Sequence, residues 1–199
     1  MNALTGEFPS DIGEETKLFA VNVGSNNLEG TFPPGIGKIT GLQIFNIEKN
    51  GFSGTVPSEL YALDLTEFSI GGNKFTGPVP GSLTLLPNVA SISLGPNLFT
   101  GEIPSNIAEL TELTTLSMMG IPLTGKLPIA YATNLTKLTK LAITDTEIGG
   151  DIPVQYTDMK SLDVLDLSGN NLRGDIPTEF GFMTSLSKFS ILFPGLSCS

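Results

Sequence analysis

The chain has 199 residues, of which 40% are hydrophobic, and a formal charge of −10 from 20 acidic and 10 basic side chains. That is enough apolar material for one domain with a sizeable core, and too acidic a surface to suit nucleic acid or an anionic membrane as partner. With no histidine and one cysteine, Cys198, the chain has no internal disulfide, no histidine-activated nucleophile and no usual zinc ligand set. No apolar run approaches the roughly 18 residues of a membrane span, and Met1–Gly6 is neither basic nor followed by an apolar stretch, so it does not read as a signal peptide.

Along the chain one pattern returns. A Gly-x-apolar-Pro motif places its proline at Pro9, Pro33, Pro57, Pro80, Pro104, Pro128, Pro153 and Pro177, with spacings of 24, 24, 23, 24, 24, 25 and 24. After each comes a block of the form L-x-x-L-x-L-x-x-N-x-L-x-G, starting at Leu18, Leu42, Leu65, Val89, Leu113, Leu138, Leu162 and Leu186. Eight in-register copies define a repeat architecture. From the first residue of a block to the next motif proline the count is always 15. The one-residue changes fall only between proline and block: 8 residues from Pro57 to Leu65, 10 from Pro128 to Leu138, and 9 elsewhere. A stacked strand cannot take an insertion without turning its side chains to the other face, whereas a loop can. The 15-residue part is therefore the ordered, stacked part, and the variable part lies on the outside.

Within a block, as in Leu42-Gln43-Ile44-Phe45-Asn46-Ile47, alternation sends Phe45 and Ile47 to one face and Ile44 and Asn46 to the other. This predicts one short strand per repeat, paired in parallel with the next, and a core containing Leu18, Val21, Val23, Phe45, Ile47, Phe68, Ile70, Ile92, Leu94, Leu116, Met118, Leu141, Ile143, Leu165 and Leu167. Each proline sets φ as the chain leaves for the outer side. The three-residue recurrence of Ile107, Leu110 and Leu113 suits a 3-10-like segment there. Asn2, Asn26, Asn50, Asn73, Asn97 and Asn170 form a column, which is expected to satisfy backbone groups left without strand partners. Ile121, Thr146 and Pro194 interrupt it, as drift or as a specialised stretch.

These blocks resemble the leucine-rich repeat, and the added L-x-G-x-apolar-Pro resembles the plant-type variant of receptor-like kinases, receptor-like proteins and polygalacturonase-inhibiting proteins. The resemblance runs from Asn2 to Leu196. It implies an α/β solenoid, a right-handed superhelix with a concave parallel sheet and 3-10-like convex segments. The expected organisation is a single domain over 1–199 of about eight repeats. The family's paired-cysteine caps are missing, and the chain ends on Phe189, Ile191, Leu192, Phe193 and Leu196. It therefore reads as a fragment whose apolar edges would associate. Cys198 stands where other repeats carry glycine. The resemblance implies an extracellular or cell-surface location, and with it use of the Asn134-Leu135-Thr136 sequon as a glycosylation site.

Chemistry is sparse. Glu48 and Glu67 on adjacent strands are the best carboxylate pair, at a separation expected from strand spacing to be ~7–9 Å, of the order that inverting glycosidases use. Two solvated charges explain them more simply, and no catalytic residue or cofactor is assigned. Asp145, Glu147 and Asp166 lack the loop spacing of a calcium site. The expected function is recognition of a protein, peptide or glycan. Two rival readings are an inhibitor of a wall-degrading enzyme and an ice-binding surface. The latter is disfavoured because the column Thr5, Glu29, Ser53, Thr76, Thr100, Thr124, Gly149, Arg173 is interrupted. The candidate ligand surface is the concave face: a middle strip of small residues around Ser69, Ser93 and Ser117, flanked by Asn46, Glu48, Lys49 and Glu67 on one side and by Lys140, Asp145 and Asp166 on the other.

Overall fold

The computed structural model describes residues 2–14 and 17–192; Phe193, Pro194, Leu196 and Cys198 lie outside them. Each repeat makes one turn of a solenoid. The concave sheet has eight parallel strands in chain order: Ala20–Asn22, Ile44–Asn46, Glu67–Ser69, Ser91–Ser93, Thr115–Met119, Lys140–Thr144, Val164–Asp166 and Lys188–Ser190. Stacking gives one continuous core, because no single repeat can bury its own apolar residues. Of the expected core residues, all are buried except Leu18 and Val23. These two belong to the first strand's coil and pack, partly covered, against the core.

Two differences from the sequence reading stand out. The first is a second strand in most repeats. The L-x-G stretch itself pairs with its neighbours, as a six-stranded parallel sheet from Thr5–Glu7 to Leu123–Thr124 and a separate pair, Gly149–Gly150 with Asn171–Leu172. The extended stretch between Asn and Pro has its own N–H and C=O groups to satisfy, and the next coil offers partners at the same height. The motif glycine permits the turn that follows, with φ of +82° to +91° at Gly6, Gly30, Gly54, Gly77, Gly101, Gly125 and Gly150.

The second difference is on the convex side. Most outer segments are short 3-10 turns, such as Pro34–Lys38 and Ser105–Glu109, each started by a motif proline whose carbonyl accepts the N–H three residues on. The repeat with the longer, 10-residue step from Pro128 to Leu138 instead forms an α-helix, Ile129–Asn134. The extra residue lengthens the segment enough to close an i to i+4 bond, from the Leu135 N–H to the Tyr131 carbonyl. Two buried tyrosines tie this side together: Tyr131 donates to the Pro104 carbonyl (2.9 Å) and Tyr156 to the Pro128 carbonyl (3.2 Å).

The asparagine column works as a ladder between coils. Asn73 donates to the carbonyls of Ile47 and Ile70, both at 2.9 Å, and accepts from the Phe52 N–H at 3.1 Å. Asn50, Asn97 and Asn170 repeat the arrangement. At the two described breaks, Ile121 is simply buried, while the Thr146 hydroxyl donates to Asn170 and accepts from the Ile148 N–H. The six-stranded sheet stops between these same two coils, where the Lys126–Gly149 bridge and a hydrogen bond from the Glu147 N–H to the Leu123 carbonyl remain. There the concave strands lengthen to five residues, and Met119 pairs with Thr144.

Candidate ligand-binding surface

The pairing register lays the concave side chains out in three rows. The first runs Glu67, Ser91, Thr115, Lys140, Val164, Lys188, and the second Asn46, Ser69, Ser93, Ser117, Ala142, Asp166, Ser190. In the third, two positions beyond the second in each strand, Glu48, Gly71 and Gly95 lead to Met119 and Thr144.

In the N-terminal part the polar groups are already engaged with one another. Glu67 Oε1 accepts from Asn46 Nδ2 (3.1 Å) and from Ser69 Oγ (3.2 Å), and Ser69 is only 5% exposed. Glu48 Oε1 accepts from Ser93 Oγ, two coils away, over the bare backbone of Gly71. The register corrects the expected carboxylate spacing. Glu67 opposes Ile44 rather than Glu48, a four-residue offset that puts the two Cα atoms about 14 Å apart at ~3.3 Å per residue and ~4.8 Å between strands. Each carboxylate is tied to a different serine, so they do not form an acid–base pair. The glycines here serve close backbone approach: a Cβ on Gly71 would run into the Gly95 carbonyl, and one on Gly95 into the Met119 carbonyl.

Lys49 and Asp145 do not stand on the sheet face. They occupy the turn that leaves it, at φ +54° and +53°, in a column with Ser25, Gly72, Gly120 and Gly169, and both are exposed on the rim. Among the described residues no three His, Cys, Asp or Glu side chains converge on a common point, so Asp145, Glu147 and Asp166 do not form a cation cage.

In the C-terminal part the face hollows into a depression of about 340 Å³ lined by Met119, Lys140, Ala142, Thr144, Val164, Asp166 and Lys188. Asp166 accepts from the Ser168 N–H (3.2 Å) and pairs with Lys188 (3.4 Å). Burial works against its ionisation, but the Ser168 hydroxyl and N–H and the Lys188 ammonium outweigh it and hold the carboxyl below its usual value. Lys140, two strands from Lys188 in the same row, is in no ion pair among the described residues. The Thr144 hydroxyl is buried without a hydrogen-bond partner among the described residues. Sequence reasoning stopped at Lys140 and Asp166 here. Val164 and Lys188 are reachable by stepping the strand alternation back one place from Asp166 and Ser190, and Met119 and Thr144 by stepping it forward one place from Ser117 and Ala142.

Residues 161–183 match the Leucine Rich Repeat family model. Over 96% of its length the chain superposes on the leucine-rich-repeat ectodomain of the Arabidopsis thaliana receptor kinase GASSHO1/SCHENGEN3, solved with CASPARIAN STRIP INTEGRITY FACTOR 2, at 30% identity and a TM-score of 0.88. The chain has the leucine-rich-repeat fold. Similar agreement is found with the Arabidopsis receptor kinase HAESA, solved with the peptide hormone IDA and the co-receptor SERK1 (30% identity, 93% of this chain, TM-score 0.89), and with a plant ice-binding protein (28%, 95%, TM-score 0.84). The repeats cover 23% and 32% of the two receptor chains and 61% of the ice-binding chain. No curated protein sequence matches.

Proposed function

We propose that this chain is a binding module whose concave face takes an extended peptide, as part of an extracellular receptor-like protein. The observation that carries this reading is the shape of the eight-stranded sheet. Its middle rows hold serine and glycine, so a chain lying across the strands approaches the backbone closely, with charged and hollowed regions at either side. One of the similar receptors was solved with a peptide hormone, which supports a peptide as the ligand. The exposed Asn134, at the end of the convex helix, is well placed to carry a glycan in that setting.

The test is selection of linear peptides from a displayed random library against the folded chain, followed by binding to variants. Ser117→Trp, in the middle of the strip, should abolish binding of the selected peptides. Leu85→Glu, on an exposed convex residue, should not. Peptides indifferent to Ser117→Trp would move the site off the concave face.

A second reading is favoured by one observation. The six-stranded sheet exposes Thr76, Thr100 and Thr124, at the same place in three successive repeats although strand pairing sets Thr76 opposite Leu98 and Thr100 opposite Pro78, and one similar structure is a plant ice-binding protein. The row also carries Glu29, and the sheet ends at Thr124. A thermal hysteresis of zero at millimolar protein would dispose of this reading. Inhibition of a wall-degrading enzyme rests on family resemblance alone.

A further inference from the structure

The depression in the C-terminal part of the concave face differs from the rest of that surface in three respects. It is apolar at its floor, where Met119, Ala142 and Val164 meet. It is the part of the face with surplus positive charge: Lys140 and Lys188 against Asp166 leave about one net positive charge, in a chain whose formal charge is −10. And it holds a polar group with nothing to bond among the described residues, the Thr144 hydroxyl, on a side chain only 5% exposed. A buried hydroxyl without a partner is a standing cost. Alternation places Thr144 on the same concave side as Lys140 and Ala142, with Leu141 and Ile143 in the core.

The layout defines what fits. Lys140, Val164 and Lys188 lie side by side in one row, so the two lysine Cα atoms are about 10 Å apart, two strand spacings. Both ammonium groups can converge on one anion above Val164. Lys188 keeps Asp166 as a local partner, and Lys140 has none, so the second charge is held open. The sheet continues past the depression toward Thr115 and Ser91, which lets a chain run through rather than end there. We propose, resting on the peptide-binding reading above, that this depression recognises an internal acidic side chain of an extended peptide. The carboxylate sits between Lys140 and Lys188, a neighbouring aliphatic side chain lies on Met119, Ala142 and Val164, and a peptide group of the ligand takes the Thr144 hydroxyl.

The probe is a pair of end-blocked peptides, acetyl-Val-Leu-Asp-Leu-Val-amide and its counterpart with asparagine for aspartate. Each is titrated into the isotope-labelled chain at low salt, with binding read from backbone NMR shifts. The aspartate peptide should shift the resonances of residues 115–119, 140–144 and 164–166 and bind more tightly than the asparagine peptide. Lys140→Ala and Lys188→Ala should each weaken it roughly two- to fivefold, as expected for solvent-facing charge pairs, and 0.5 M salt should remove most of the preference. Thr144→Val, which keeps the shape, should weaken both peptides alike while leaving the melting temperature unchanged or higher. Equal affinity for the two peptides, or an aspartate preference surviving the double lysine variant, overturns the proposal while leaving concave peptide binding standing. Shifts confined to other faces, or none with either peptide, overturn both.

Discussion

The coils from Asn26 to Asn97 and those from Thr115 to Gly150 share a core but satisfy their polar groups differently. In the first set every coil has its asparagine, the second sheet is continuous, and the concave carboxylates are held by neighbouring serines and asparagine. In the second set the asparagine is replaced by Ile121 and Thr146, the second sheet lapses, and the concave strands lengthen. The convex turn has become a helix, and the concave face carries an unengaged lysine and an unbonded hydroxyl. Apolar stacking tolerates this exchange because it is non-directional. Hydrogen bonds are directional, so a local change in one column alters the sheets on both sides of it. The regular coils are organised for stability, and the irregular ones keep polar groups available.

The contrast is broken most directly at the ladder. Asn97→Leu leaves two backbone groups without a partner, the Leu94 carbonyl and the Phe75 N–H, and takes one of two donors from the Ile70 carbonyl, which keeps Asn73. At about 1–3 kcal/mol per unsatisfied group it should destabilise the chain by at least roughly 2 kcal/mol in urea unfolding. Ile121→Leu, in the same column of the irregular set, should cost less than about 1.5 kcal/mol. Equal effects would mean that the ladder does not distinguish the two regions.

Next in size is the backbone approach at the boundary between them. Gly95→Ala would force a Cβ against the Met119 carbonyl and should cost about 1–3 kcal/mol. Gly81→Ala, on the convex side with only an Asn106 side-chain atom at 3.4 Å, should fall within about 0.5 kcal/mol of the parent. Tyr156→Phe removes one of the two donors to the Pro128 carbonyl, which keeps the Tyr131 N–H, and should lower stability by about 1 kcal/mol. Tyr61→Phe removes a buried hydroxyl that has no partner among the described residues and should be neutral or stabilising. If the two tyrosine variants behave alike, the convex hydrogen bonds contribute nothing.

The smallest effect concerns pH. Asp166 has its carboxyl held below the usual value of 3.8. Its contribution is therefore fully present above the ordinary carboxylate pKa and is lost as pH falls through the lower folded value. For a pair that solvent still reaches, this amounts to about 0.5 kcal/mol. Comparing Asp166→Asn with the parent should show a small difference at pH 7 that shrinks as the pH is taken progressively below 3.8. A gap that widens in acid would reverse the sign assigned here.

The repeat, the core and the outer position of the length changes were all legible in the amino-acid sequence. Each rests on local periodicity: alternation fixes which of Phe45 and Asn46 is buried, and the constant 15-residue count marks what must stack. The column of asparagines could be read the same way, since an amide at a fixed place in every coil has one backbone task to repeat. What only the tertiary structure decided depends on register between coils. The four-residue offset of Glu48 from Glu67, the reach of Glu48 over Gly71 to Ser93, and the second sheet all arise between residues 19 or more apart. The depression shows the difference most clearly. Lys140 could be picked out in sequence, but Val164 and Lys188 are unremarkable there, and only parallel stacking of three strands brings two ammonium groups around one apolar floor. Alternation tells which way a side chain points, but which side chain stands beside it is settled by the pairing of backbones, and that pairing is a property of the folded coil.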